Sequence, residues 1–225
     1  MAEPFAVKDC ALIALGTGER AQNLRELCDR LQTTHSACIY HHFWGGLLHP
    51  RFDNPEYQND FADWAWHGLR DARLAEKLAL VDPSVYANLD DLRRELVEII
   101  EERLDESEFI PWARTNQQFY FVRSQIVVFD TTLRMEEPEM LGKSVTRLSV
   151  GSVFYHFIDA RRRTKSRRDD FSEWLLGFGD QYAGLVQRLT GIDPYFSSLT
   201  ELRRELETVF RDCFAKGSSL HGFDA

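Results

Sequence analysis

"LDDLRREL", Leu89 to Leu96, returns as "LTELRREL", Leu199 to Leu206, with six of eight positions identical. An internal repeat constrains a fold more than any single motif, because each copy must bury the same face. Working outward, "NDFADW" (Asn59 to Trp64) answers "DDFSEW" (Asp169 to Trp174), Asp82-Pro83 answers Asp193-Pro194, and Tyr40-His41 answers Tyr155-His156. At the offset of that last pair, "KDCALIAL" (Lys8 to Leu15) falls on "RSQIVVFD" (Arg123 to Asp130). The chain reads as a tandem duplication: repeat 1 over 1–108, a connector over 109–118 that holds Pro111 and a polar TNQQ run, repeat 2 over 119–217, and a tail over 218–225.

Each repeat opens on a short apolar run, read as a strand, and continues with four or five helices. The expected fold is α+β and predominantly helical, two pseudo-symmetric repeats whose strands pair in a small sheet. Leu89, Leu92, Leu96, Ile99 and Ile100 form an apolar stripe at helical spacing, and Leu199, Leu202, Leu206, Val209 and Phe210 repeat it. Asn88 with Asp91, and Ser198 with Glu201, stand three apart just before the stripes, as an N-cap and its reciprocal N3 acid do. Asp170 with Glu173 reads the same way, and Asp60 holds the matching place, so these acids are expected to be caps rather than catalysts.

The stretch "ALIALGTGERAQNLREL", Ala11 to Leu27, tests for a phosphate-binding loop. Such a loop needs glycines spaced as G-x-G-x-x-G or G-x-x-x-x-G-K-[ST], so that backbone N–H groups converge on the anion. Gly16-Thr17-Gly18-Glu19-Arg20 fits neither pattern. The corresponding stretch of repeat 2, "TTLRMEEPEML", has no glycine and carries Glu136, Glu137 and Glu139, which repel phosphate. The shared demand is expected to be a tight strand-to-helix turn.

Asp and Glu outnumber Lys and Arg by 36 to 27, for a net charge of −9, so the summed field repels polyanions and nucleic acid is an unfavoured partner. "MAEPFAVKDC" lacks a basic region followed by an apolar one, and no apolar run approaches the ~18 residues of a membrane span. A cytoplasmic protein is expected. Cys10, Cys28, Cys38 and Cys213 show no metal-type spacing and are expected to be reduced thiols. No motif implies a cofactor.

The runs "TGERAQNLREL", "YHHFW", "PEYQNDFADWA", "VRSQIVVFDT", "FYHFIDARRR" and "IDPYFSSLTELR" resemble an uncharacterised bacterial family, a domain of unknown function, from Phe5 to Phe214. The resemblance implies a stand-alone cytosolic bacterial protein and brings no reaction, cofactor or catalytic residue.

His41, His42, His49 and His67 crowd one region with Asp53, Glu56, Asp60 and Asp63. Adjacent histidines on a helix point about 100° apart and no H-E-x-x-H pair is present, so no metal is expected. Tyr40-His41 and Tyr155-His156 allow two readings. In one, each pair packs at a seam with its polar groups bonded to backbone. In the other, Tyr40, His41, Tyr155 and His156 line a cleft between the repeats and supply acid and base. Exposed histidines would favour the second, and buried, backbone-bonded ones the first.

Features present in one repeat only point to function, since both copies share the demands of folding. Between His41 and Asp60 lie 18 residues where repeat 2 has 13 between His156 and Asp170, and this segment holds Trp44, His49, Arg51 and Tyr57, a mixture suited to a specific contact. In "ARRRTKSRRDD", Arg161, Arg162, Arg163, Lys165, Arg167 and Arg168 place six positive charges within eight residues. Their expected complement is the acidic "EIIEERLDESE" (Glu98, Glu101, Glu102, Asp105, Glu106, Glu108), of the same chain or a second copy. Behind it stand an acidic protein, then RNA or a small phosphorylated anion. The functional expectation is a non-catalytic cytosolic binding or regulatory module acting through protein contacts or self-association. The alternative is an enzyme or small-anion-binding protein with a His/Tyr-lined site between the repeats.

Overall fold

The structure, a computed structural model, describes residues 3–48, 56–106, 115, 117–195 and 198–217. Strand β1 (Phe5–Ala21) is followed by α1 (Leu24–Thr33), α2 (Ser36–Trp44), α3 (Asp60–His67), α4 (Ala72–Ala79) and α5 (Leu89–Asp105). Strand β2 (Phe119–Met135) leads into α6 (Met140–Ser144), α7 (Val150–Val153), a π-helical stretch (Phe154–Asp159), α8 (Ala160–Arg163), α9 (Asp170–Leu176), α10 (Ala183–Thr190) and α11 (Leu199–Gly217). The fold is α+β, mostly helical, with one two-stranded sheet among the described residues. The strands run antiparallel: Thr131 Oγ1 donates to the Val7 carbonyl and Thr17 Oγ1 to the Phe121 carbonyl, each at 2.7 Å.

Two compact units emerge, and only one is a continuous stretch of chain. One holds Met1–Ala11 with Val127–Ala225, the other Leu12–Ile126, so each takes one end of both strands. In the Leu12–Ile126 unit the core is built on Leu27, Leu31, Ile39, Phe61, Leu74, Leu92, Leu96 and Ile100. In the other it is built on Phe154, Phe157, Phe171, Leu202, Leu206 and Phe210. The predicted stripes of α5 and α11 are therefore core faces.

The repeated arginine within those stripes has a local reason. Arg93 Nη1 donates to the carbonyls of Leu31 and Thr34, at 3.0 and 2.6 Å, where α1 ends and its last carbonyls lack helical partners. Arg203 Nη1 donates to the Leu148 carbonyl at 2.8 Å. The caps ahead of both helices are as read: Asn88 Oδ1 accepts the Asp90 and Asp91 N–H groups, and Ser198 and Glu201 bond reciprocally.

Two expectations are corrected. Gly16 and Gly18 do not form a strand-to-helix turn, because β1 continues through them to Ala21, making each strand 17 residues long rather than short. What the strands share is one left-handed residue, Gly18 at φ 80° and Thr132 at φ 64°. In both, the preceding threonine hydroxyl accepts the N–H two residues on, Thr17 from Glu19 and Thr131 from Leu133, an irregularity inside a strand rather than its end. Second, Asp60 and Asp170 are not the caps of α3 and α9. Those are Asn59 and Asp169, whose extended backbones let them accept the Ala62 and Ser172 N–H groups at 2.9 and 2.8 Å. One position into the helix, Asp60 and Asp170 turn their carboxylates elsewhere.

Candidate functional site

The two displaced acids meet histidines. In the Leu12–Ile126 unit, His42 Nδ1 lies 2.9 Å from Asp60 Oδ2, and its Nε2 accepts the Val122 backbone N–H at 3.2 Å. In the other unit, His156 Nδ1 lies 2.7 Å from Asp170 Oδ2, and its Nε2 accepts the Lys8 backbone N–H at 2.8 Å. A backbone amide only donates, so Nε2 must present its lone pair. Each ring is therefore neutral, with its proton on Nδ1 and donated to the carboxylate. Both histidines are buried, at 4% and 3% exposure, and each fastens the start of a strand to a helix.

The surroundings repeat as well. His42 lies 4.7 Å from the ring of Phe119, which stacks on Phe61 at 5.2 Å. His156 lies 4.8 Å from Phe5, which stacks on Phe171 at 5.2 Å. Trp64 Nε1 donates to the Gln117 carbonyl and Trp174 Nε1 to that of Glu3. The counterpart of His156 by these bonds is His42, where sequence matching pairs it with His41. The strands set that register: Lys8 and Val122 each lie three residues past the first strand residue.

His41 does something different. Its Nδ1 is 2.7 Å from Ser124 Oγ, a buried hydroxyl on β2, and its ring lies over Gly45, where a β-carbon would stand 2.7 Å from Nδ1. Tyr40 is buried against Trp44, at 5.1 Å between rings, and Tyr155 lies under a guanidinium. Trp44, expected on a surface loop, ends α2 in the core at 4% exposure. His49 and Arg51 lie outside the described residues. Tyr57, half-buried, sits 6.1 Å from Trp66.

Adjacent histidines do converge, contrary to the angular argument. Ligand atoms of His41, His42 and Asp60 all lie within 4.8 Å of one another, so distance alone would admit a metal ion. The hydrogen bonds oppose it. To ligate through Nδ1, His42 would surrender the proton shared with Asp60, and the neutral ring could then no longer accept the Val122 N–H at Nε2.

The basic run is largely spent inside its own unit. Asp159, the last π-helical residue, has a fully buried side chain; its Oδ1 takes Arg162 Nη2 at 3.0 Å and its Oδ2 takes Arg163 Nε at 2.8 Å. Arg163 Nη2 donates at 2.9 Å to both the Tyr155 carbonyl and Asp170 Oδ2, with the guanidinium 3.9 Å over the Tyr155 ring. Asp159, Arg163, Asp170 and His156 thus form one continuous network ending on the Lys8 amide. Arg161 lies 4.6 Å over the Phe157 ring. Arg168 is half exposed, 3.8 Å from Glu173, and Arg167 adopts φ 56°. The partner of Arg162 and Arg163 is a buried aspartate that the sequence does not single out. The acidic end of α5 is served by its own neighbours, Glu102 by Lys77 at 3.1 Å and Glu106 by Arg73 at 3.1 Å. Glu108 lies outside the described residues.

Three of the four cysteines are buried and all are free thiols. Burial first, then the Asp159 and Asp9 carboxylates, push the Cys10 thiol up to about 12, and burial with Glu101 pushes Cys28 to about 11. Among the described residues no helix is long and apolar enough to cross a membrane.

Comparison with known proteins agrees with the architecture. The chain belongs to a family of unknown function, DUF5752, whose model matches residues 2–211. It is similar to the solved structure of OrfY from Thermoproteus tenax, at 29% sequence identity and a TM-score of 0.81 over 95% of this chain and 96% of that one. No curated protein matches significantly.

Proposed function

We propose that this protein is a non-catalytic binding or regulatory module of the cytosol, acting through protein contacts and built from two tandem copies of one strand-and-helix unit. The observation that carries the reading is the state of its buried histidines. An acid–base catalyst needs a ring nitrogen turned to a reactant, whereas His42 and His156 each commit one nitrogen to an aspartate and the other to a strand amide. Four free thiols, three of them buried, accord with a reducing compartment. The duplication is supported by a constant offset of 114 residues relating Lys8 to Val122, Thr17 to Thr131, Gly18 to Thr132 and His42 to His156.

The contact surface this reading favours is β2. Val127, Val128, Phe129 and Leu133 stand 39%, 40%, 48% and 36% exposed on a strand whose only described partner is β1. Two-stranded ribbons are marginal in water, and clustered exposed apolar side chains mark contact sites. The test replaces Val127 and Phe129 with Lys and follows sedimentation of the purified protein over a range of concentrations, together with capture of partners from the native lysate. Loss of self-association, or of a specific captured protein, supports the module. A wild type that is monomeric and captures nothing the variant does not refutes it.

A further inference from the structure

Two open cavities meet at the connection between α3 and α4. One, of about 330 Å³, is lined by Arg70, Arg73 and Arg103 with Leu24, Leu69 and Asp71; the other, of about 380 Å³, is lined by Trp66, His67 and Arg70. Arg70 belongs to both. The charges there are unevenly spent. Arg103 bonds Asp71 at 2.8 Å and also Glu106, and Arg73 bonds Glu106 at 3.1 Å, whereas Arg70 has no hydrogen-bond or ion-pair partner among the described residues. Among the described residues, three guanidiniums stand against two carboxylates, and the positive charge in excess is on the exposed Arg70 side chain, which lines both cavities.

The backbone supplies a second, independent observation. Arg70 adopts φ 56°, the left-handed conformation that glycine takes freely and a β-carbon disfavours. At the corresponding exit of α9 the chain uses Gly179, at φ 95°, followed by Asp180 and Gln181. Both bends are followed by an acid, Asp71 and Asp180, but one unit makes the turn with glycine while the other holds a strained arginine there. Folding alone does not ask for this, and strain kept where a cheaper residue serves elsewhere points to use of the side chain.

We propose that the α3–α4 connection is a binding site for a small organic anion, a phosphate or carboxylate borne on a flat ring. Its oxygens engage the guanidinium forks of Arg70 and Arg73, and its ring lies against Trp66. Planar guanidinium groups match both anions in bidentate geometry, an indole face takes a flat ring, and the cavities fall in the size range of small-molecule sites. This site is independent of the module reading above and lies wholly within the Leu12–Ile126 unit.

The test uses the full-length protein and the indole N–H resonances of its five tryptophans, with Trp66 assigned from Trp66→Phe. Phenyl phosphate, benzoate and inorganic phosphate are titrated separately. Phenyl phosphate or benzoate should shift the Trp66 resonance saturably with Kd about 1 mM, as ligands of that size do, and inorganic phosphate should bind more weakly for want of a ring. The tighter of the two aromatic probes identifies the anion. Arg70→Gly should weaken binding at least about tenfold while keeping or raising Tm, because it removes both the charge and the strain. Absence of a Trp66 shift with either aromatic probe, or unchanged affinity in Arg70→Gly, overturns the proposal.

Discussion

His156 Nε2 accepts the backbone N–H of Lys8 at 2.8 Å across 148 positions of sequence. The bond ties the first strand of the chain to a helix of its second half, and it holds only while the ring is neutral on that nitrogen. His156→Ala leaves the Lys8 amide without its acceptor and removes the ring packed on Phe5. The expected loss is about 1–3 kcal/mol, the range for a donor left without its acceptor. Urea denaturation measures it, and amide exchange locates it: Lys8 N–H should exchange faster than in the wild type. Unchanged protection at Lys8 would show that the imidazole is dispensable there.

Asp159 is the buried anchor of the basic run. Its side chain is fully buried and bonded to Arg162 and Arg163, so its removal takes a carboxylate from both guanidiniums. Asp159→Ala should cost about 1.5–3 kcal/mol, the range for hydrogen bonds to a charged group, since the guanidiniums left behind are partly exposed. Arg168→Ala, by contrast, removes an exposed side chain 3.8 Å from Glu173 and should change stability by less than about 0.5 kcal/mol. Chemical denaturation of the two variants decides, and equal effects would contradict the network.

The buried thiols predict alkaline weakening. The folded Cys10 and Cys28 thiols keep their protons up to about 12 and about 11, whereas unfolded cysteine ionises around its ordinary value of 9.0. Above that value the unfolded chain binds fewer protons, so their contribution is complete below pH 9.0 and is lost progressively toward 11 and 12. Denaturation midpoints should fall across that window, and less so in a Cys10→Ala, Cys28→Ala variant. Alkylation of the native protein should reach half-buried Cys213 first. Rapid labelling of Cys10 would refute its burial.

Glycines at positions 151 and 184 should respond oppositely to alanine. At Gly151 a β-carbon would stand 2.2 Å from Asp9 Oδ1 and 2.5 Å from the Cys10 carbonyl, so helix and strand must part. A loss of about 1–3 kcal/mol is expected, typical of overpacking. At Gly184, within α10, nothing lies within 4 Å, and alanine should add about 0.5–1 kcal/mol. Thermal unfolding of the pair checks both signs.

The α5 and α11 stripes, the caps Asn88 and Ser198, and the absence of a membrane-length apolar helix among the described residues were legible without coordinates. Each rests on residues three or four apart, whose geometry the helix itself imposes. For α3 and α9 the sequence points one residue past the true caps, Asn59 and Asp169. "NDF" and "DDF" each offer two adjacent capping types, and only the backbone dihedrals choose between them.

By itself the sequence determined that the chain is acidic, where α5 and α11 lie, which faces they bury and how they are capped. The tertiary structure alone decided where the polar groups of the other segments end. It turned Asp60 and Asp170 to histidines, spent Arg162 and Arg163 on Asp159, made His42 rather than His41 the ring that bonds as His156 does, and left Arg70 without a partner among the described residues at a strained bend. The physical reason is range. Periodicity and capping are set within one turn of chain, whereas a buried donor or charge takes whichever partner packing brings within about 3 Å, and that partner can lie anywhere in the sequence.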